Sequence, residues 1–307
     1  TVETDPAGNS SAPTAANEIT IDTVAPEKAA APTITDNVGD ITGPLSGGDS
    51  TDDTQPELAG KGEAGSTVTI YDNDQPIGSV VVDADGNWSW TPDAPLAEGE
   101  HSIHTTETDK AGNTSAPTDA VAITVDTTAP EKAAAPTITD NVGDITGPLS
   151  GGDSTDDTQP ELAGKGEAGS TVTIYDNDQP IGSVVVDADG NWSFTPDAPL
   201  AEGEHSIHTT ETDVAGNTSA PTDAVAITVD TTAPEKAAAP TITDNVGNIT
   251  GPLSGGDSTD DTQPELAGKG EAGSIVTIYD NDQPIGSVVV DADGNWSFTP
   301  DAPLAEG

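Results

Sequence analysis

The chain has 307 residues, of which 55 are acidic and 7 are Lys or Arg, so its formal net charge at pH 7 is −48. A surface with this charge repels nucleic acids and anionic membranes, which excludes both as binding partners. There is no Cys and no Met, which excludes disulfide bonds and thiolate metal sites, whereas clustered carboxylates favour hard divalent cations.

A unit of 104 residues is repeated along the chain. The tetrapeptide Ala-Pro-Glu-Lys begins at Ala25, Ala129 and Ala233, and 129 − 25 and 233 − 129 both equal 104. The period predicts the end of one unit in residues 1–23, complete units in 24–127 and 128–231, and a unit without its last strands in 232–307. We call the last three segments the first, second and third repeats, and we expect each to be a structural domain.

Within a repeat, apolar and polar residues alternate with a period of two, which is typical of strands and not of helices. Seven short strands are predicted in the first repeat, near residues 32–35, 56–62, 67–71, 77–82, 88–91, 101–108 and 120–125. Seven short strands in about 100 residues are typical of an immunoglobulin-like sandwich. We therefore expect an all-β chain of tandem immunoglobulin-like β-sandwich domains arranged as an extended rod.

The first repeat contains the segments DNVGDITG, TDDTQPELAGKGEAGSTVTIYDN, IGSVVVDADGNWSWTPD and TDKAGNTS. This pattern resembles the bacterial Ig-like extender repeats of giant repeats-in-toxin and biofilm-associated surface adhesins. The resemblance covers essentially the whole chain and recurs in every copy. It implies a secreted protein on the bacterial cell surface whose repeats bind Ca²⁺ and hold an adhesive tip away from the cell.

The first candidate metal site is the loop Asp36-Asn37-Val38-Gly39-Asp40 together with Asp52 and Asp53. Ca²⁺ takes about six to eight oxygen ligands, which acidic side chains and the backbone of a Gly-rich loop can supply. The alternative is a solvated acidic loop at the end of a sandwich. The corresponding candidates in the later copies are Asp140, Asn141, Asp144, Asp156, Asp157, Asp244, Asn245, Asp260 and Asp261, and Asn248 replaces the last acid of the third loop.

The second candidate is Asp109, which begins the segment Asp-Lys-Ala-Gly-Asn and has copies at Asp5 and Asp213. Asp before Ala-Gly-Asn is also favourable turn chemistry, so Asp109 is either a turn cap or a metal ligand. The resemblance implies that this Asp belongs to the calcium-binding end of the fold. Glu107 lies on the same face of the preceding strand, where it is either a further ligand or an edge residue of the sandwich.

The third candidate is the linker acid Asp22, Asp126 or Asp230, each followed by Thr, then Thr or Val, then Ala-Pro. A Ca²⁺ ion shared between this acid and an adjoining loop would stiffen the joint, and a semi-flexible spacer is the alternative. We expect the carboxylates of the Asp109 loop, of Asp126 and of the next repeat's loop from Asp140 to Asp144 to meet at one joint.

No enzyme is expected. His101 and His104 are three residues apart on one strand, so they point to opposite faces and cannot chelate together. The paired carboxylates lie in exposed loops, where nothing raises a pKa for acid catalysis. Trp88 and Trp90 lie on the same face of their predicted strand, and we expect that face to point into the core of the sandwich. No apolar run is long enough to cross a membrane, so no membrane insertion is expected.

Two functions remain open at this point. The repeats are either a calcium-stiffened spacer, whose partners are the neighbouring repeats, or modules that each bind a glycan, ice or a matrix protein. Near-identical copies favour the spacer, because added length needs only repetition. Since residues 1–23 hold most of the strands that residues 232–307 lack, we also expect head-to-tail self-association by strand complementation.

Overall fold

The computed structural model describes residues 1–306, and within this range it contains strands and no helix. The predicted all-β fold of tandem immunoglobulin-like domains is confirmed, whereas the extended-rod arrangement stays a prediction. Residues from Thr1 to Thr231 form one compact unit, and those from Thr232 onward form a second. Because the described part of the chain contains no long apolar helix, none of its elements qualifies as a membrane-spanning helix.

Each complete repeat contains nine strands. Those of the first repeat are β1 Thr33–Asp36, β2 Gly43–Leu45, β3 Ser50–Thr51, β4 Glu57–Lys61, β5 Thr67–Asp72, β6 Gln75–Val81, β7 Asn87–Trp90, β8 Gly99–Thr108 and β9 Val121–Val125. Those of the second repeat are β10 Thr137–Asp140, β11 Gly147–Leu149, β12 Ser154–Thr155, β13 Glu161–Lys165, β14 Thr171–Asp176, β15 Gln179–Val185, β16 Asn191–Phe194, β17 Gly203–Thr212 and β18 Val225–Val229.

The described part of the third repeat contains six strands. They are β19 Thr241–Asp244, β20 Gly251–Leu253, β21 Glu265–Lys269, β22 Ile275–Asp280, β23 Gln283–Val289 and β24 Asn295–Phe298. They form a four-stranded sheet of order β20-β19-β21-β24 and a two-stranded sheet of β22 and β23.

The first repeat is a sandwich of two sheets, of order β2-β1-β4-β7 and β3-β9-β8-β5-β6. All pairs are antiparallel except β3 and β9, which run parallel. The inward-facing residues of both sheets form the core, as the period-two pattern predicts; its buried members are Ile34, Leu58, Val68, Ile70, Val82, Trp88, Ile103 and Ile123. Trp90 is partly buried and packs against this core, so the prediction that both Trp residues belong to it is confirmed.

The strand order decides which loops lie at which end of a repeat. Gly99 at the start of β8 pairs with Val125 at the end of β9, and Thr51 also pairs with Val125. The loops that follow Asp36 and Thr51 therefore lie at the C-terminal end of the repeat, where the chain leaves it. Asp109 follows the opposite end of β8, so its loop lies at the N-terminal end.

Candidate cation site at the joint between two repeats

The loop after β1 is held by the carboxylates of Asp36 and Asp53, both of which are buried. Asp36 accepts hydrogen bonds from the N–H of Val38 at 2.9 Å and from the hydroxyl of Thr51. Asp53 accepts from the N–H of Asn37 at 3.1 Å and from that of the residue two positions after it at 2.8 Å. These two predicted ligands thus also organise the loop, and each oxygen keeps a lone pair that can face a cation.

The same arrangement recurs in the later copies. The N–H of Asn141 donates to Asp157 at 3.0 Å and the hydroxyl of Thr155 donates to Asp140 at 2.6 Å. In the third repeat, the N–H of Asn245 donates to Asp261 at 3.0 Å, and Asp244 accepts from the hydroxyl of the copy of Thr51 at 2.6 Å. The loop is therefore built identically three times.

Asp52 lies beside these residues, and its carboxylate packs against Gly39, whose φ is +75°. A Cβ at Gly39 would lie 2.1 Å from Oδ2 of Asp52, so only glycine leaves room for the carboxylate. The corresponding distances are 2.3 Å for Gly143 with Asp156 and 2.4 Å for Gly247 with Asp260. Within residues 1–306, Oδ1 of Asp52 is the one buried side-chain oxygen or nitrogen without a hydrogen-bond partner. A buried carboxylate oxygen without a partner needs an explanation, and an ion or water that completes the site is one.

The loop after β17, at the N-terminal end of the second repeat, is organised by Asp213. Its Oδ1 accepts the N–H groups of Ala215, Gly216 and Asn217 at 2.8–2.9 Å, and its Oδ2 accepts the Asn217 amide at 3.0 Å. The carboxylate therefore caps a turn, as one of the two interpretations predicts, and metal binding by the same carboxylate stays a prediction.

Asp109 and Asp5 cap the same turn in their own copies. Asp109 accepts the N–H groups of Ala111 at 2.8 Å and Asn113 at 2.9 Å, and Asp5 accepts that of Asn9 at 2.8 Å. The Asn113 side-chain amide is the main reason that the pKa of Asp109 lies below its ordinary value.

Among the described residues, three hydrogen bonds join the first repeat to the second besides the local one from the Thr128 N–H to Asp126 in the linker. The N–H of Asp52 donates to the carbonyl oxygen of Ala215 at 3.0 Å. The hydroxyl of Thr218 donates to Asp40 Oδ2 at 3.0 Å, and the Asn217 amide donates to a carbonyl at 2.8 Å. That carbonyl belongs to Asp126, the predicted linker acid, so the joint brings Asp40, Asp52, Asp126 and the loop from Asp213 to Thr218 together.

This joint differs from the predicted one. The prediction that the Asp109 loop meets the loop from Asp140 to Asp144 is wrong, because β8 places Asp109 at the N-terminal end of the first repeat, where Asn113 donates to the carbonyl of Asp22 at 3.2 Å. Asp140 ends β10, which places its loop at the C-terminal end of the second repeat. The loops that meet are the Asp36–Asp53 region of one repeat and the Asp213 loop of the next.

The linker acids cap the chain that follows them. Asp22 accepts the N–H of Val24 and Asp126 that of Thr128, both at 3.0 Å. Asp230, at the corresponding position, directly follows β18. Sequence reasoning missed Glu98, which accepts the N–H of Thr127 at 3.0 Å and also its hydroxyl, and so fixes the residue after Asp126.

Glu107 is buried, and its Oε1 accepts hydrogen bonds from the N–H of Glu63 and the hydroxyl of Ser66. These contacts make Glu107 an anchor for the turn before β5, which is neither of the two roles left open for it, and metal binding by Glu107 stays a prediction. In the second repeat the same acid lies close to Glu167, and burial followed by the charges of Glu211 and Asp213 raises the pKa of Glu167.

The joint concentrates negative charge. Burial, followed by the nearby carboxylates of Asp36, Asp53 and Asp213, raises the pKa of Asp52 above its ordinary value. No ion pair of residues 1–306 includes any of these four acids. The ionised form of Asp52 is therefore less favourable at the joint than in water, and a cation from solution would offset this cost.

In residues 1–306, no group of three or more Asp, Glu or His side chains is arranged to hold a metal ion. The chemistry of the joint nevertheless fits a hard cation, because its donors are carboxylate and carbonyl oxygens and one of them is orphaned. The Oδ1 atom of Asp52 has no hydrogen-bond partner. The nearby acids are Asp36, Asp53 and Asp213, whose charges also raise the pKa of Asp52.

The sequence matches the model of one known protein family. The model of the bacterial Ig-like domain matches residues 28–127, 132–231 and 236–307, which together make up most of the sequence. The chain therefore belongs to the bacterial Ig-like domain family, in three tandem copies. Among curated proteins, none matches the sequence.

The chain is similar to several solved structures, with TM-scores below 0.5. Fibronectin(III)-like modules of CbhA from Clostridium thermocellum are 15% identical over 61% of this chain and 90% of theirs, with a TM-score of 0.37. A Ca²⁺-stabilised adhesin with which an Antarctic bacterium binds ice is 24% identical over 97% of this chain and 72% of its own, with a TM-score of 0.34. The BSP domain of a biofilm-associated protein is 24% identical over 62% of this chain and 30% of its own, with a TM-score of 0.23.

Proposed function

We propose that the chain is a spacer region of a bacterial surface adhesin, outside the cell, and that Ca²⁺ stiffens the joints between its repeats. The observation that carries the proposal is the buried, unpartnered Oδ1 of Asp52 at the contact between two repeats. A Ca²⁺-stabilised adhesin is 24% identical to this chain over 97% of this chain's length. Near-identical repeats suit a spacer, since repetition adds length without adding a new binding surface.

The residues that would hold the ion are Asp52 with its neighbours Asp36, Asp53 and Asp213, and Asp40 lies at the same joint. Bound Ca²⁺ would supply the positive charge that the joint lacks. Asp52 would offer the ion Oδ1, while the turns capped by the other acids keep those acids in place. Because Asp213 comes from the second repeat, an ion held in this way ties the two repeats together.

Charge explains why the ion would act as a switch. Without divalent cations, a chain of net charge −48 repels itself, and only a few hydrogen bonds oppose this repulsion at the joint. With Ca²⁺ at about 10⁻⁴–10⁻³ M, the range in which extracellular modules bind it, the folded joint gains stability by mass action.

The test is a Ca²⁺ titration of the 307-residue chain by calorimetry, combined with thermal unfolding and small-angle scattering. We expect chelation to lower the Tm and to shorten the maximum particle dimension. If neither quantity changes between chelator and millimolar Ca²⁺, the spacer has no calcium switch. Binding of the same sample to ice or to a glycan would support the competing function, in which each repeat is an adhesion module.

A further inference from the structure

The first and second repeats, each of 104 residues, differ at only three positions. Val24 is replaced by Thr128, Trp90 by Phe194 and Lys110 by Val214. The last difference changes the charge of the loop that contacts the preceding repeat. A change of charge in this loop affects the joint directly, because no basic side chain pairs with the joint's acids within residues 1–306.

Val214 lies against the C-terminal end of the first repeat. Its side chain is 57% exposed and lines an open cleft of about 200 Å³ whose other walls include Asp36, Ile41 and Asp49 of the first repeat. Two residues further on, Gly216 contacts the Asp52 carboxylate, since a Cβ there would lie 3.4 Å from Oδ2. The side chain at position 214 is therefore next to the carboxylates of the joint.

Lys110 occupies the same position in the first repeat, and its ammonium end lies over Gly65 of its own repeat. Within the described residues, Lys110 forms no ion pair. A lysine carries its charge on a flexible four-carbon stem, which is long enough to enter a cleft of this kind.

We propose that the residue at this position sets how much a joint depends on divalent cations. A valine leaves the acids of the preceding repeat to be neutralised from solution, whereas a lysine brings an ammonium group to the same acids as a built-in counter-charge. A joint with lysine at this position would then need Ca²⁺ less for its stiffness than a joint with valine does. This inference rests on the proposed function, because it assumes that Ca²⁺ acts at the joint.

The experiment compares Val214→Lys with Val214→Met, a long neutral control, in the 307-residue chain. Because the chain has no Cys, Ser79→Cys and Ser183→Cys introduce spin labels at equivalent exposed sites of the two repeats. Pulsed electron paramagnetic resonance then measures the distribution of the distance between the two labels in chelator and in millimolar Ca²⁺.

We expect Val214→Lys to narrow the distribution in chelator towards its Ca²⁺-loaded width, and Val214→Met to leave it broad. The narrowing should disappear in about 1 M NaCl, where the Debye length falls to roughly 3 Å. If the parent chain responds to Ca²⁺ and Val214→Lys behaves like Val214→Met, the inference is wrong and the proposed function stands. If the parent chain does not respond to Ca²⁺, the proposed function itself fails.

Discussion

The N–H of Asp52 donates a hydrogen bond to the carbonyl oxygen of Ala215 in the next repeat, at 3.0 Å. The backbone of Asp52 therefore joins the repeats, while its carboxylate faces other carboxylates. Asp52 thus contributes a hydrogen bond that joins the two repeats and a negative charge whose repulsion from nearby carboxylates opposes the contact. Neutralising that charge leaves the hydrogen bond in place, which is why a cation at this joint would stiffen it.

Gly39→Ala tests the space around the Asp52 carboxylate. The new Cβ would clash with Oδ2 at 2.1 Å, so Asp52 must leave its position. Gly48→Ala is the matched control, because Gly48 also has a positive φ, +99°, but no atom within 4 Å of its Cβ position. Both changes cost about 1–2 kcal/mol of left-handed backbone strain.

We expect only Gly39→Ala to weaken Ca²⁺ binding as well, as measured by calorimetry on the 307-residue chain. Equal affinities in the two variants would mean that Asp52 does not need this position to bind the ion.

Thr218→Val tests the hydrogen bond from Thr218 to Asp40. An exposed hydrogen bond of this kind contributes about 0.5–1.5 kcal/mol, so we expect a broader distance distribution across the joint and little change in Tm. Thr114→Val is the control, since Thr114 pairs with Thr108 as Thr218 does with Thr212 but donates to no acid in a preceding repeat. A joint unaffected by Thr218→Val would show that this hydrogen bond is dispensable.

We expect the free energy of unfolding to fall as the pH rises through the pKa of His205. Its Nδ1 lies 2.7 Å from Asp176 Oδ2 and its Nε2 lies 2.8 Å from the carbonyl oxygen of Ala201, so both ring nitrogens face acceptors and the geometry favours the imidazolium. Burial alone lowers the pKa of His205, but the hydrogen bonds to Ala201 and Asp176 outweigh it and raise the pKa above 6.5.

Because the folded pKa is raised, the stability that His205 contributes is fully present below about pH 6.5 and is lost as the pH rises through the folded pKa. Asp176 on β14 is the charged group that faces the ring, and β18 contributes the apolar Ile227 as its strand partner. Denaturant midpoints of the parent chain and of His205→Gln, measured from pH 5 to pH 9, should converge at high pH. A constant difference between them would contradict the ion pair.

His208→Gln is the control for this titration. His208 stacks on Tyr175 with ring centroids 5.0 Å apart, and it lies on the other face of β17 from the buried His205. The prediction that the two histidines of a repeat point to opposite faces is therefore correct.

Head-to-tail self-association stays a proposal, and it has a defined register. In the first repeat, β5 pairs with β8 from Thr67 opposite Thr108, whereas β22 has β23 as its one partner strand among the described residues. Ile19 and Ile21 correspond to the buried Ile123 and Val125 of the first repeat, but each of them is 82% exposed. We propose that the first residues of one molecule pair with β22 of another.

Sedimentation velocity should then show a mass that rises with concentration. Ile19→Asp, which places a charge where the core of the acceptor would close, should keep the chain monomeric. A parent chain that is monomeric at every concentration would rule the association out.

The sequence was sufficient for the fold but not for the joint. Alternation predicts all seven longer strands, because each of them has one face in the core. The short strands β2 and β3 were missed, since Gly43–Leu45 contains Gly and Pro and Ser50–Thr51 has only two residues. Their side chains carry no strand pattern, and the pairing of Leu45 with Ile34 comes from tertiary contacts.

The composition of the joint could not be predicted because it depends on strand order. Spacing along the chain places Asp109 near Asp140, but strand direction puts the Asp109 loop at the N-terminal end of the first repeat and the Asp140 loop at the C-terminal end of the second. Likewise, Asp52 and Asp53 look equivalent in the sequence. In the structure Asp53 is buried and bonded to the loop, whereas Asp52 faces the next repeat with an unpartnered oxygen.

The distance between spin labels at positions 79 and 183, measured in chelator and in millimolar Ca²⁺, tests the calcium-stiffened joint most directly. We predict a broad distribution that narrows on adding Ca²⁺, and a distribution in Asp52→Asn that no longer responds. Asp85→Asn, which removes an exposed carboxylate outside the joint, should respond like the parent chain. A distribution of the same width with and without Ca²⁺ in the parent chain would contradict the account.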